Sequence, residues 1–255
     1  MTRAETRAYL NSSNLTRFLT ENGMTETAPT QEDVGQQLGD WLNFKQAIAL
    51  HGVLSQDALN ASSTQSIAAP MPPEALRRHV EKVRAALEQS ISEGAPTGSG
   101  LTRIEMPKAR LDEPIDLKAA FEPYRRFHAA HQRQMEQVIR PLRSQVRGHM
   151  TNAPALKQLA HLDAEFEKML QERETALLGK VTKLFEKRFT QALKQHIKKQ
   201  NETLHQNLSA DLNSLAWLSA LHQDLKAALL AELDTRLQPT FGLLEAYHQE
   251  YPQEK

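Results

Sequence analysis

Cysteine is absent from this sequence, and aromatic residues and glycine are scarce. Without cysteine the chain has no disulfide, no thiolate zinc site and no cysteine nucleophile, so a metal ion would have to be held by histidine and carboxylate side chains. Aromatic residues make up 5% of the chain, and glycine occupies 10 of its 255 positions. This composition favours long helices with narrow apolar stripes over a thick aromatic core.

Long hydrophobic runs are also missing. The longest nearly uncharged apolar run is AIALHGVL at 47–54, which is far shorter than a membrane span. The N-terminal segment MTRAETRAYLNSSNLTRF contains no apolar stretch typical of a secretory signal. We therefore expect a cytoplasmic protein without a membrane span.

The familiar motifs of enzymatic chemistry do not occur. The sequence has no G-x-x-x-x-G-K or G-x-G-x-x-G loop for phosphates and no G-x-S-x-G turn for a serine nucleophile. The sequence therefore predicts neither an enzyme nor a bound cofactor.

What the chain does contain is an abundance of strong helix formers, namely Leu, Ala, Gln, Glu, Lys and Arg. It predicts an all-α protein, an elongated antiparallel helical bundle or coiled-coil hairpin with a small N-terminal helical subdomain. The predicted divisions are a helical subdomain at 1–56, a flexible linker at 57–72, an amphipathic helix at 73–93, an irregular linker at 94–116 and a long helical hairpin bundle at 117–250.

Apolar residues recur at helical spacing through most of the second half. The longest predicted helix runs from 155 to about 208, and a leucine stripe then continues from Leu212 to Pro239, where we expect the helix to end before a short final helix at 241–247. The apolar stripe of the long helix comprises Leu156, Leu159, Leu162, Phe166, Met169, Leu177, Val181, Leu184, Phe189, Leu193, Ile197, Leu204 and Leu208. Two such helices joined by a short connection predict an antiparallel hairpin.

Charge is balanced overall but unevenly distributed. Residues 121–200 carry 16 basic and 8 acidic side chains, whereas residues 201–255 carry 3 and 8. The basic residues are Arg125, Arg126, Arg133, Arg140, Arg143, Arg147, Lys180, Lys183, Lys187, Arg188, Lys194, Lys198 and Lys199. They could follow a nucleic-acid backbone. Alternatively they pair, within the hairpin, with the acidic run containing Asp211, Asp224, Glu232, Asp234 and Glu245, and overall neutrality favours this second interpretation.

Histidine and glutamate invite a search for a metal site. Two Glu-x-x-His pairs occur, at Glu202 with His205 and at Glu245 with His248. This spacing is that of di-iron carboxylate ligands on one helix face, but both pairs lie among polar residues and no clear set of further carboxylates accompanies them. We therefore predict no metal site. His128 and His131 have the same spacing with no carboxylate within a turn, which favours a solvated or helix-packing role.

Four segments carry a resemblance to a known family: QQLGDWLNFKQAIALHGVL, EPYRRFHAAHQRQMEQVIRPLR, PALKQLAHLDAEFEKMLQERETALLGKVTKLFEKRF and LLAELDTRLQPTFGLLEA. In their order and wording they look like an uncharacterised proteobacterial family, the domain-of-unknown-function 3348 family, over residues 13–54 and 117–246. The resemblance implies a bacterial protein, and the family has no established activity that could be transferred to this chain.

The resemblance directs attention to six residues as candidates for binding a partner. They are Gly39, Trp41, Tyr124, Arg125, Arg126 and Asp234. Trp41 is most simply a core anchor and Asp234 a cap or ion-pair residue near a helix end, with partner binding as the functional alternative.

The leading hypothesis is a non-enzymatic interaction or scaffold protein. A narrow apolar stripe on an isolated hairpin rarely buries enough area to be stable, so we expect the N-terminal helices to cover it, or a protein partner or self-association to do so. A nucleic-acid-associated helical protein is the alternative. A metal-dependent helical enzyme of the di-iron type is the third hypothesis.

Overall fold

The computed structural model describes residues 14–21, 42–55, 71–108, 116–205 and 216–251. Within these ranges the chain forms six α-helices and no β-strand, which confirms the predicted all-α fold. The helices are α1 (Asn14–Glu21), α2 (Phe44–Leu54), α3 (Pro73–Ser92), α4 (Leu117–Met150), α5 (Pro154–His205) and α6 (Ala216–Glu250). None of these described helices combines the length and apolarity needed to cross a membrane.

Local sequence explains where several helices begin. Pro73 and Pro154 are the first residues of α3 and α5, where a missing N–H leaves no intrahelical bond unmade. The Asp116 carboxylate accepts a hydrogen bond from a first-turn backbone N–H of α4 at 2.9 Å. Asn43 and Gln46 form a reciprocal capping box at the start of α2.

Helices α4 and α5 form an antiparallel pair joined by a tight turn at 151–153. Near the turn, Arg143 Nε donates to Asp163 Oδ2 at 2.9 Å. Farther from the turn, the Thr182 hydroxyl lies 3.1 Å from His128 Nδ1. Between these two contacts the helices stay together for about four turns of α4 and about five turns of α5.

Helix α6 runs antiparallel to α5 and therefore in the same direction as α4. Arg188 of α5 pairs with Asp224 of α6 at 2.7 Å, and Arg236 of α6 pairs with Glu174 of α5 at 3.0 Å. The predicted pairing of the basic helix with the acidic run of α6 is present at the first of these pairs. Five of the six arginines of α4, in contrast, find their partners on α4 itself and in the first half of α5, and the exposed Arg133 has no ion pair with a described residue.

Helix α3 packs on the other side of the α4–α6 pair. Arg84 Nη2 donates to Asp234 Oδ1 of α6 at 2.8 Å. The Gln134 amide of α4 donates to the buried Ser90 hydroxyl of α3 at 3.0 Å. The two-helix hairpin of the sequence prediction is thus part of a bundle of four long helices.

The leucine stripe of α6 fills the centre of this bundle. Its described members are all buried, namely Leu218, Leu221, Leu225, Leu229, Leu233 and Leu237. The aromatic rings of Phe121, Tyr124 and Phe189 pack beside it with centroids 5.3 to 6.3 Å apart. Burial of a large apolar side chain stabilises a fold by roughly 1.5 to 3 kcal/mol. The packing of these leucines and aromatic rings therefore contributes strongly to the stability of the bundle.

The predicted helix end at Pro239 is wrong. Helix α6 continues through Pro239 to Glu250, and the segment expected as a short final helix is its last part. Proline removes one intrahelical hydrogen bond, but the residues beyond it, including Leu243 and Tyr247, are buried against the bundle. Their burial holds the helix together across the proline.

The predicted apolar stripe of α5 is also wrong in its middle part. Leu177 is 54% exposed, while its neighbour Leu178 is buried. Between the buried Ala160 and Leu178, the inward line at helical spacing carries the polar residues Asp163 and Glu167, which are 11% and 18% exposed. The helix is rotated by about one residue from its sequence-predicted orientation, because Asp163 and Glu167 face arginines of α4.

The two described helices of the N-terminal region pack on different parts of the bundle. Helix α1 packs against α6 through the buried Leu15 and Leu19, and α2 packs against α5 with Leu50 buried. That residues 1–56 form a subdomain of their own stays a prediction. Residues 56–70, which cover most of the predicted linker, lie outside the described residues.

Candidate interaction surfaces

The six candidate partner-binding residues are distributed over several places. Gly39 and Trp41 lie outside the described residues, immediately before the segment that caps α2. Tyr124 is 2% exposed and packs between Phe189 and the His222 ring, at 5.3 and 5.4 Å between ring centroids. Tyr124 therefore contributes to the core of the bundle and presents no surface to a partner.

The charged candidates are held by ion pairs. Arg125 and Arg126 are both exposed on α4, and both pair with the Glu122 carboxylate, which lowers the pKa of Glu122. Asp234 holds α3 to α6 through Arg84, whose guanidinium also lies 5.8 Å from the centroid of the Phe241 ring. A role for these residues in partner binding stays a prediction.

A group of polar side chains lies in the core beside Tyr124. His128 and His131 are each 1% exposed, and burial lowers the pKa of both to about 4. Burial also raises the pKa of Tyr124 to about 12 and that of Glu232, although Arg236 and Gln132 favour the Glu232 carboxylate. At neutral pH both histidines are therefore neutral, and they serve helix packing, one of the two roles predicted for them.

Metal ligation finds no geometric support in the part of the chain that the structure describes. No three His, Asp or Glu side chains there lie close enough to hold an ion. His248 lies near Glu74 of α3, at 3.6 Å, and Glu245 accepts from Gln249. Glu202 pairs with Lys198, and the side chain of His205, the other member of this Glu-x-x-His pair, is outside the description.

An ionic cluster holds α4 against α5. The Asp163 carboxylate binds both Arg143 and Arg147, and Arg147 also pairs with Glu167, with all four side chains no more than 18% exposed. Next to it lies a cleft of about 160 Å³ between α4, α5 and α6, lined in part by Glu174. The charged side chains that line the cleft are largely paired with one another. The ion pairs of Asp163 and Glu167 with the arginines of α4 fix the position of α5 on α4.

Five lysines on α5 form a surface that we call the lysine stripe. They are Lys180, Lys183, Lys187, Lys194 and Lys198, and all are exposed. At about 100° per residue they fall within about 60° of the helix circumference and extend about 27 Å along its axis. Lys198 lies 3.8 Å from Glu202, and the other four have no ion pair with any residue that the structure describes.

A second surface lies on α2, and we call it the α2 ridge: Phe44, Ala47, Ile48 and Gly52. Phe44 is 83% exposed and Ile48 is 56% exposed, and they stand one helical turn apart on the side opposite the buried Leu50. A Cβ atom added at Gly52 would meet nothing within 4 Å. The ridge is therefore open, with a large side chain at one end and a glycine notch at the other.

Sequence analysis did not identify either surface as a site. The run AIALHGVL is too short for a membrane span, but its apolar residues occupy both sides of the helix, which is the sequence signal of an exposed apolar face. The lysine stripe was included among thirteen basic residues, and only its spacing of 3, 4, 7 and 4 residues distinguishes it from the arginines that the structure pairs.

Comparison with protein families matches residues 1–249 to the family described as "Protein of unknown function (DUF3348)". Comparison with curated proteins gave no match, and neither did comparison with solved structures. Because the family match covers nearly the whole chain, this protein belongs to the DUF3348 family.

Proposed function

We propose that this chain is a non-enzymatic helical interaction protein that associates with a second copy of itself through the α2 ridge. The observation that carries the proposal is the exposure of Phe44 and Ile48 on one face of a capped helix. Exposed large apolar side chains that stand together mark interaction sites in proteins. The remaining bundle then serves as the rigid support that holds α2 in place through α5.

The ridge is complementary to itself. When two copies of α2 cross antiparallel about a two-fold axis at Ile48, each residue faces the one equally far on the other side of Ile48. Phe44 of one copy then lies at the level of the Gly52 notch of the other, so the largest side chain of the ridge meets the position that has no side chain. Close approach of the two helices needs this distribution of side-chain sizes.

Charge permits the same arrangement. Helix α2 contains no acidic residue, and its ionisable side chains are Lys45 and His51. In the antiparallel arrangement these two side chains lie at the flanks of the contact. A partner of strongly acidic or basic character would gain little from this face.

The expected association is weak. Helix α2 is about 16 Å long, so a contact confined to it buries on the order of 1,000 Å² in total, the low end for specific interfaces. We therefore expect a monomer–dimer equilibrium with a dissociation constant of roughly micromolar magnitude or weaker. Sedimentation velocity over about two decades of concentration, up to the high micromolar range, measures it.

Two substitutions test the ridge. Phe44→Asp places a charge at each end of the contact, and Gly52→Leu fills the notch, so both are expected to shift the chain to monomer. Gly52→Leu distinguishes a specific fit from nonspecific hydrophobic association, because it adds apolar surface and leaves the monomer unstrained. Ala85→Leu, at an exposed position of α3, is the matched control and should leave the equilibrium unchanged.

Two outcomes would refute the proposal. One is a wild-type chain that stays monomeric throughout the concentration range. The other is stronger association of Gly52→Leu, because that result would mean that any added apolar surface promotes contact. Circular dichroism of each variant establishes that the helical fold is retained.

A further inference from the structure

We propose that the lysine stripe of α5 binds the phosphate backbone of double-stranded nucleic acid without reading its sequence. The stripe is a line of exposed ammonium groups on one face of the longest helix. This inference is independent of self-association through the α2 ridge, since the two surfaces involve different helices.

The structure separates the stripe from the other basic residues of the same region. Arg143 and Arg147 are bound to Asp163, and Arg125 and Arg126 share Glu122. Asp163 and Glu167 balance the charges of Arg143 and Arg147, whereas Glu122 offsets one of the two charges of Arg125 and Arg126. Lys180, Lys183, Lys187 and Lys194 have no ion pair with a described residue, so their charges are available to an anion outside the chain.

The sector that the stripe occupies contains no carboxylate. The only acidic residue between Lys180 and Lys198 is Glu186, which lies about 60° outside this sector by helical geometry. Gln191 fills the gap between Lys187 and Lys194 on the same face and supplies a neutral hydrogen-bonding group. The face therefore presents positive charge over its whole length.

The dimensions fit a duplex. A length of about 27 Å spans about eight base pairs at 3.4 Å per phosphate along each strand. The stripe can thus contact about four phosphates, one for each lysine that has no ion pair with a described residue. Lysine contacts phosphate as a point charge. Base sequence is read mainly by bidentate hydrogen bonds from side chains such as arginine, asparagine and glutamine to the base edges. We therefore expect the stripe to show little sequence preference.

Other polyanions fit less well. Single strands are bound on aromatic side chains that stack with bases, and the stripe carries none. A helix that lies on a membrane inserts its apolar face, but the apolar face of α5, with Val181, Phe185 and Phe189, is buried in the bundle. A rigid duplex is the partner that needs only a straight line of positive charge.

Fluorescence anisotropy with a labelled mixed-sequence DNA duplex of about 20 base pairs tests the proposal over a salt series. We expect binding at low salt that weakens about a hundredfold between about 50 and about 200 mM salt, as four phosphate contacts require. The double variant Lys183→Gln with Lys187→Gln should bind more weakly, with the salt dependence reduced to about tenfold. Lys82→Gln with Lys118→Gln removes the same charge at exposed positions outside the stripe and should bind like wild type.

Three results would overturn the inference. They are no duplex binding at the lowest salt, equal weakening in the control double variant, and tighter binding to a single strand or to phosphatidylserine vesicles than to the duplex. The titrations are repeated in a Phe44→Asp chain, where duplex binding is expected to persist. A failure of the α2 ridge and a failure of the lysine stripe are therefore distinguishable.

Discussion

His128 and His131 show how a single residue type couples this bundle to pH. Both rings are buried in the neutral form, and burial lowers the pKa of each to about 4. In the unfolded chain a histidine takes up a proton near pH 6.5. Because the unfolded chain binds more protons between about pH 6.5 and about pH 4, the stability of the bundle falls as the pH falls through this window.

The size of the effect follows from the two pKa values. We expect the free energy of unfolding to decrease by about 2 kcal/mol for each of the two histidines between about pH 7.5 and about pH 5. Glu232 acts in the opposite direction, since burial raises its pKa and its contribution is lost as the pH rises. Urea denaturation at the two pH values measures the net change.

The variant His131→Leu assigns the effect to a residue. Nε2 of His131 is buried without a hydrogen-bond partner among the described residues, so leucine should leave stability at neutral pH unchanged or higher. The pH-dependent loss should shrink without disappearing, because burial also lowers the pKa of His128, His149 and His222. His161→Gln on α5, at a half-buried position, is the control, and an unchanged pH dependence in His131→Leu would show that the ring is not buried as described.

At the scale of helices, the ionic cluster decides how α5 lies on α4. The inward line of α5 contains Asp163 and Glu167 at positions where an apolar stripe would carry leucine. Removing one partner of a buried ion pair leaves the other charge desolvated and unpaired, which is strongly destabilising.

The substitution Asp163→Asn tests this cluster. It leaves Arg143 and Arg147 without their shared carboxylate, and we expect the free energy of unfolding to fall by roughly 2 to 4 kcal/mol. Glu165 lies two residues from Asp163 and pairs with Lys168, which is 70% exposed. Glu165→Gln breaks that pair and should change the free energy of unfolding by less than about 1 kcal/mol. Equal effects of the two substitutions in urea denaturation at neutral pH would contradict the assigned orientation of α5.

Helix existence followed from the sequence, whereas helix orientation did not. The leucine stripe from Leu218 to Leu237 was predicted because its period is regular and its residues are all apolar. In α5 the same periodicity predicted Leu177 rather than Leu178 as a core residue. The sequence alone does not show that Asp163 and Glu167 pair with arginines of α4. Pro239 predicts a helix end because proline interrupts the helical hydrogen bonds. The burial of Leu243, which continues the helix beyond it, is a tertiary effect that the sequence does not show.

The interaction surfaces show the same limit. Exposed charge and exposed apolar side chains are visible as surfaces only after the bundle has buried or paired their neighbours. The six candidates from the family resemblance include Tyr124, which the fold places in the core, and two residues outside the described part of the chain. The spacing of the lysine stripe and the apolar content of α2 were the signals available beforehand.

At the scale of the whole molecule, the bundle closes its own core and presents two surfaces of different chemistry. The bundle of α3, α4, α5 and α6 buries the leucines and aromatic rings, while α2 stands on α5 with its ridge outward. Association of two chains through α2 would place two lysine stripes on one particle, which increases the effective concentration for a shared duplex.

The measurement that tests the central claim most directly is disulfide trapping at the two-fold axis. The chain has no cysteine, so Ile48→Cys introduces the only thiol. Two such residues facing each other across closely packed helices come within the Cα separation of roughly 4.4 to 6.8 Å that a disulfide requires. We predict that mild oxidation links Ile48→Cys chains into a dimer far faster than Ala85→Cys chains, and that adding Phe44→Asp abolishes the difference. Equal crosslinking of the two cysteine variants would contradict self-association through the α2 ridge.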